Sequence, residues 1–148
     1  MHAPVAGTGR RLALMAISVP HSVEQALSEA GIRFAYLFGS RASGTATQES
    51  DADVAVMPGG ELGLLEQAGL AAQLATALDV AHADVVPLNR ATLELCGRIV
   101  QEGRLIYSVD EPARVAFEVR TLSEYFDFLP TLRQLERSYL AHVAKHGL

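Results

Sequence analysis

The stretch that decides the fold runs from Phe38 to Asp53 and reads FGSRASGTATQESDAD. It begins where an apolar run, residues 34–38, meets a Gly-Ser pair, and it ends at Asp-Ala-Asp, ahead of a second apolar run, residues 54–57. Apolar runs of this length that are bounded by turn residues are typical of buried β-strands. The stretch therefore predicts two strands whose ends meet at a Gly-Ser turn and a pair of aspartates.

The two aspartates of this stretch predict a metal-binding site. Asp51 and Asp53 are two positions apart, and the alternation of side chains along a strand places both on the same face. Neighbouring carboxylates repel each other unless a cation lies between them, and Mg²⁺ prefers oxygen ligands. An Asp-x-Asp sequence alone is more often a solvated strand end, so the prediction depends on the Gly-Ser pair, which lies 10 residues earlier.

The Gly-Ser pair predicts phosphate binding at the end of the first strand. Gly39 lets a phosphate approach the backbone closely, and Ser40 can cap a short helix whose N-terminus attracts anions. Arg41, on that predicted helix, could contact a triphosphate oxygen or could instead pair with Glu49 on the surface. The sequence leaves both roles of Arg41 open.

A carboxylate outside this stretch can complete the site. Asp84 begins a short β-branched run, residues 84–86, so it could project beside Asp53 from a neighbouring strand. Asp79 is the rival, but it falls at the predicted end of a long helix. Asp84 is the better candidate.

Gly39-Ser40, the 10 intervening residues and Asp51-x-Asp53 resemble the signature of the DNA polymerase beta-like nucleotidyltransferase superfamily. The short chain is also similar to the minimal nucleotidyltransferases (MNT), the antitoxins of HEPN/MNT toxin–antitoxin pairs. The resemblance covers residues 32–90. It implies an enzyme that transfers AMP from its substrate ATP to a hydroxyl group and releases pyrophosphate.

The resemblance also implies roles for the residues that match it. Asp51, Asp53 and Asp84 would be the catalytic, metal-binding carboxylates and would hold two Mg²⁺ ions. The nucleotide-binding positions would follow the first strand, at Gly39, Ser40 and Arg41.

For MNT antitoxins the resemblance implies a protein acceptor, namely a tyrosine of a cognate HEPN ribonuclease toxin, and hence a hetero-oligomeric complex with that toxin. Two alternatives stay open. The acceptor could be a small molecule, or the protein could be an antitoxin that only binds and masks its toxin sterically. The sequence also leaves a homodimer open.

Composition narrows the class of protein. The 148 residues are enough for one domain with one hydrophobic core, and the net charge of -5 argues against direct nucleic-acid binding. No apolar run approaches the roughly 20 residues that a membrane span requires. The single cysteine, Cys96, excludes an internal disulfide and fits a reducing compartment, so we expect a cytoplasmic protein without membrane contact.

The remaining pattern predicts an α+β fold, with a small mixed β-sheet flanked by helices. Further strands are expected at residues 84–86 and 105–107, and further helices at 61–78 and 91–102, besides one that ends at Gly31. Three- and four-residue apolar steps predict a long amphipathic helix from 111 to 146. We expect a flexible arm (1–15), a nucleotidyltransferase domain (16–109) and a C-terminal helical extension (110–148) packed on that domain.

Overall fold

The computed structural model describes residues 19–39 and 51–146. The structural elements of these ranges, in chain order, are helix α1 (His21–Glu29), strands β1 (Ile32–Phe38) and β2 (Ala52–Pro58), helix α2 (Leu64–Leu78), strand β3 (Ala83–Pro87), helix α3 (Leu93–Glu102), strand β4 (Arg104–Ser108) and helix α4 (Glu111–His146). Each begins and ends within a few residues of the predicted limits. The predicted arm (1–15) and the short helix expected after the Gly-Ser pair lie outside the described residues.

The strands form one mixed sheet in the order β3-β2-β1-β4. β1 pairs antiparallel with both β2 and β4, and β2 pairs parallel with β3. A parallel pair needs a crossover connection, which α2 supplies between β2 and β3. This arrangement confirms the predicted α+β class with a small mixed sheet.

Helices cover both faces of the sheet, which explains why the sequence of β1 does not alternate between apolar and polar residues. Phe34 and Tyr36 are fully buried against α3 and α4, whereas Ala35 and Leu37 belong to the core on the side of α1 and α2. The ring of Phe34 lies 5.5 Å from that of Phe117 of α4, between ring centroids. A central strand buried on both faces reads as a continuous apolar run.

A buried charged network attaches the start of α4 to the sheet. Arg114 is only 7% exposed, and its guanidinium donates hydrogen bonds to Glu111 at 2.7 and 2.8 Å and to Glu118 at 3.0 Å. The hydroxyl of Tyr36, on β1, donates to Glu118 at 2.5 Å. The hydrogen bond to Glu111 is the largest of the causes that raise the pKa of Arg114, so this buried cation stays charged.

Only the first part of α4 packs against the sheet. Its buried residues are Arg114, Phe117 and Thr121, whereas apolar side chains nearer its C-terminal end, such as Leu135 and Tyr139, are about 60% exposed. The helix continues through Pro130. The boundary at residue 110 between domain and extension stays a prediction. No helix among the described residues has the length and apolar character of a membrane span.

The crossing of α3 and α4 requires a glycine. A β-carbon built at Gly97, on α3, would lie 2.4 Å from the ring of Tyr125, on α4, closer than real contacts allow. Gly69, in the interior of α2, faces open space by the same test. Gly69 is therefore a matched control for substitutions at Gly97.

We expect Gly97→Ala to lower the free energy of unfolding by about 1–3 kcal/mol, because the added methyl group must displace Tyr125. Gly69→Ala should raise it by about 0.5–1 kcal/mol, because alanine favours the helix and meets no neighbour. Urea denaturation followed by circular dichroism measures both. Equal effects of the two substitutions would contradict the close crossing.

Candidate active site

Two of the predicted carboxylates meet in the parallel pair of β2 and β3. Asp53 and Asp84 are register partners, each the second residue of its strand. Their neighbours Val54 and Val85 both belong to the core beneath α1 and α2, so the two aspartates leave the opposite face of the sheet. Strands in a sheet lie about 4.8 Å apart, which makes the two carboxylates close neighbours.

Asp51 lies directly before β2 and is exposed, as is Asp84, whereas Asp53 is half-buried. Burial is the largest cause that raises the pKa of Asp53, followed by the negative charges of Asp84 and then Asp51. The three aspartates therefore interact electrostatically, and solvent screens the charge of the half-buried Asp53 least. A cation at this position would relieve both the repulsion and the desolvation of Asp53.

Gly39 lies beside Asp53 on the side of β1, opposite Asp84. Its φ is 77°, in the left-handed region, and a β-carbon built on it would lie 2.5 Å from Oδ2 of Asp53. Phe38, the residue before it, is the register partner of Asp53 in the β1–β2 pair. Glycine is required here twice, by the backbone conformation and by the closeness of the carboxylate.

The donor set suits Mg²⁺ as an open site. Among residues 19–39 and 51–146, no three His, Cys, Asp or Glu side chains converge into a preformed metal cage. Mg²⁺ does not need one, since it is commonly held by one or two carboxylates together with substrate phosphates and water. Asp53 and Asp84 side by side, with exposed Asp51 beside them, fit that mode of binding.

Other predicted residues lie elsewhere or outside the described ranges. Asp79 ends α2 in the left-handed conformation, with φ 57°, and its charge is not among those that raise the pKa of Asp53. Ser40 and Arg41 lie outside the described residues, so their roles stay predictions. Cys96 is buried, and burial raises the pKa of its thiol, which makes it a poor nucleophile.

Sequence reasoning missed the contribution of α3 to this end of the sheet. Phe38 lines a small cavity of about 80 Å³ together with Leu95, Arg98 and Glu102 of α3. Because Phe38 pairs with Asp53, the cavity places Arg98 of α3 beside β1, next to the strand that carries Asp53. An exposed arginine on an amphipathic helix carries no signal in the sequence that could have found it.

Two sequence comparisons bear on this site. The model of the family described as Polymerase beta, Nucleotidyltransferase matches residues 22–112, a range that includes the sheet, Gly39 and the three aspartates. The protein adenylyltransferase MntA of Shewanella oneidensis is 35% identical over 94 residues, which cover 64% of this chain and 66% of that protein. The match thus spans just under two thirds of that relative.

Solved structures show the same fold. A chain of the crystal structure of a toxin–antitoxin with AMP-PNP superposes with a TM-score of 0.70 at 28% identity, over 81% of this chain and 97% of that chain. A chain from the structure of the tri-AMPylated Shewanella oneidensis HEPN toxin in complex with MNT antitoxin superposes with a TM-score of 0.65 at 24% identity. The superposition covers 88% of this chain and 98% of that chain, and it shows a likeness of fold alone.

These findings confirm the predicted resemblance to the minimal nucleotidyltransferases of toxin–antitoxin pairs. The family match covers more than half of the chain and contains the sheet that brings Asp53 and Asp84 together. By that match, the chain belongs to the polymerase beta nucleotidyltransferase family.

Proposed function

We propose that this protein is an antitoxin that acts as a protein adenylyltransferase, transferring AMP from ATP to a tyrosine hydroxyl of a HEPN toxin in a Mg²⁺-dependent reaction. The observation that carries the proposal is the pairing of Asp53 with Asp84, beside Asp51 and against Gly39. It is supported by the adenylyltransferase MntA and by the toxin–antitoxin structure with AMP-PNP. The unpaired Cys96 fits action in the reducing cytoplasm.

The three carboxylates would divide the chemistry between them. Asp51 and Asp53 would hold Mg²⁺, two ions in the full arrangement, with Asp84 as a further ligand. Bound Mg²⁺ would neutralise the triphosphate and the departing pyrophosphate. Asp84 is the more exposed partner of the pair, so its carboxylate can reach an incoming acceptor and accept the hydroxyl proton.

The transfer is a displacement at the α-phosphorus of ATP. The acceptor oxygen forms a new bond to the α-phosphorus. The bond between the α-phosphorus and the oxygen that bridges the α- and β-phosphates breaks, and pyrophosphate leaves with its electron pair. The acceptor proton passes to the carboxylate of Asp84 and then to water. Gly39 lets the backbone pass close to the Asp53 carboxylate, and Ser40 and Arg41 would contact the triphosphate directly after it.

The most direct test of transfer uses ATP labelled at the α-phosphate, Mg²⁺ and a purified HEPN protein from the same organism as this chain. We expect the wild type to label the HEPN protein and both Asp53→Asn and Asp84→Asn to reduce labelling by about 100-fold or more, because each loses an acidic ligand or base. Autoradiography of the separated proteins measures it, with Asp79→Asn as the control that retains labelling.

The outcomes separate the alternatives. A stable complex without label from the wild type would contradict the enzymatic proposal and identify a binding-only antitoxin. Absence of both complex and label, with ATP still consumed when small hydroxyl compounds are supplied, would identify a small-molecule nucleotidyltransferase.

The raised pKa of Asp53 makes a prediction about stability. A carboxyl whose folded pKa lies above its unfolded value stabilises the fold at low pH, and this contribution is lost as the pH rises through the folded pKa. At neutral pH in chelator, Asp53→Asn should therefore raise the melting temperature. The gain should vanish below pH of about 4, where Asp53 is protonated in both states.

Mg²⁺ should make the melting temperature of the wild type higher than that of Asp53→Asn. The wild type should gain stability on addition of Mg²⁺ at neutral pH, because the cation relieves the repulsion among the aspartates. Asp53→Asn should gain much less. Differential scanning fluorimetry measures both, and Asp79→Asn is the control, since asparagine suits the left-handed conformation at that position. If Asp53→Asn in chelator melts above the wild type by the same amount at every pH, that result would argue against carboxylate repulsion.

Gly39 can be tested against a glycine that shares only its backbone conformation. Gly31 also has a positive φ, 71°, but a β-carbon there would meet nothing within 4 Å. Gly31→Ala should therefore cost stability of about 1–2 kcal/mol from backbone strain and leave transfer intact. Gly39→Ala should cost at least as much and also abolish transfer, because its methyl group displaces the Asp53 carboxylate.

The readouts for this pair are the melting temperature and the labelling assay, each for both variants. The result that would count against a site formed by Gly39 and Asp53 is a Gly39→Ala variant that transfers AMP as well as Gly31→Ala does.

A further inference from the structure

A second cavity lies away from the carboxylates, where α4 crosses the sheet. Its volume is about 380 Å³, within the range of about 300–1,000 Å³ that is usual for small-molecule sites. Met57, at the end of β2, lines it, and β2 carries Asp53 four residues earlier, about 13 Å away along the strand. A ligand in this cavity would not occupy the catalytic site.

The cavity joins the family domain to the C-terminal helix. Met57 and Leu88 come from the region that matches the family model, whereas Phe117, Arg120, Thr121 and Glu124 come from α4, beyond residue 112 where the match ends. Met57, Leu88 and Phe117 supply an apolar floor. The site therefore depends on α4 and lies partly outside the matched nucleotidyltransferase region.

A buried threonine lines this cavity. Thr121 is only 4% exposed and lines the cavity wall, and its hydroxyl forms no hydrogen bond with another described residue. Buried polar side chains nearly always have a partner, because the loss of hydration is otherwise uncompensated. A ligand in the cavity would give the hydroxyl its missing partner.

Two opposite charges stand at the mouth. Arg120 and Glu124 are exposed, line the same cavity and lie one turn apart on α4, yet they form no ion pair with each other. Side chains four residues apart on a helix are neighbours, with β-carbons about 5–6 Å apart. A cation and an anion at this spacing complement a ligand that carries both charges on adjacent groups.

We propose that this cavity binds an α-amino acid with an apolar side chain, as a free zwitterion. Its carboxylate accepts hydrogen bonds from Arg120 and from the Thr121 hydroxyl, and its ammonium group donates to Glu124. Its side chain covers Met57, Leu88 and Phe117. This site is additional to the proposed transfer reaction and independent of it.

The test is a titration of the full chain with L-phenylalanine, in chelator and without nucleotide, followed by two-dimensional NMR of the amide groups. We expect saturable shifts confined to the cavity. Thr121→Val should weaken binding about 5-fold and Thr121→Ser should retain it, because only the former loses the hydroxyl. Arg120→Gln and Glu124→Gln should each weaken binding about 10-fold. Arg133→Gln, farther along α4, is the control and should bind as the wild type does.

Two ligand analogues test the need for both charges. 3-Phenylpropanoate lacks the ammonium group and phenethylamine lacks the carboxylate, so each should bind about 10-fold more weakly than phenylalanine. Three results would overturn the proposal: no saturable shift up to the solubility limit of phenylalanine, equal affinity for either analogue, or affinity that Thr121→Val and Arg120→Gln leave unchanged. Circular dichroism of each variant establishes that it is folded.

Discussion

The position of β2 between β1 and β3 is the constraint on which the candidate site depends. Phe38, Asp53 and Asp84 stand in register across these three strands. Val54 and Val56, both fully buried on the opposite face, hold β2 in that register. A slip of one residue would turn Asp53 into the core beneath α1 and α2, so the burial of two valines determines where the carboxylates point.

The protein holds buried charge in two different ways, with and without a neighbouring opposite charge. Near the start of α4, Arg114 is matched by Glu111 and Glu118, so its charge is compensated within the fold. At the strand ends, Asp53 lies near other negative charges and is half-buried. The first arrangement stabilises a helix against a sheet, and the second leaves negative charge that no described residue neutralises, where a bound cation would be stabilising.

Much of this architecture could be predicted from the sequence, because local pattern determines local structure. The apolar run ahead of Gly39 and the β-branched run after Asp84 predict strands that the structure contains. The register of Asp53 with Asp84 depends on pairing between segments about 30 residues apart, which no local pattern encodes. The same holds for the contact of Gly39 with Asp53 and for the cavity at Thr121, which need atoms from several elements. The family resemblance, rather than the local pattern, indicates that Asp84 lies beside Asp53. Nucleotide contacts of Ser40 and Arg41 stay predictions.

The protruding end of α4 has a consequence for how the molecule moves in water. The 21 residues that follow Tyr125 extend about 31 Å, more than twice the radius of gyration of about 13 Å expected for a domain of 100 residues. Rotation about the helix axis meets less friction than end-over-end rotation, so amide relaxation rates should vary with the direction of each bond. Such a molecule also elutes early from a sizing column, so the mass of the protein or of its complexes must come from a method that does not depend on shape, such as light scattering.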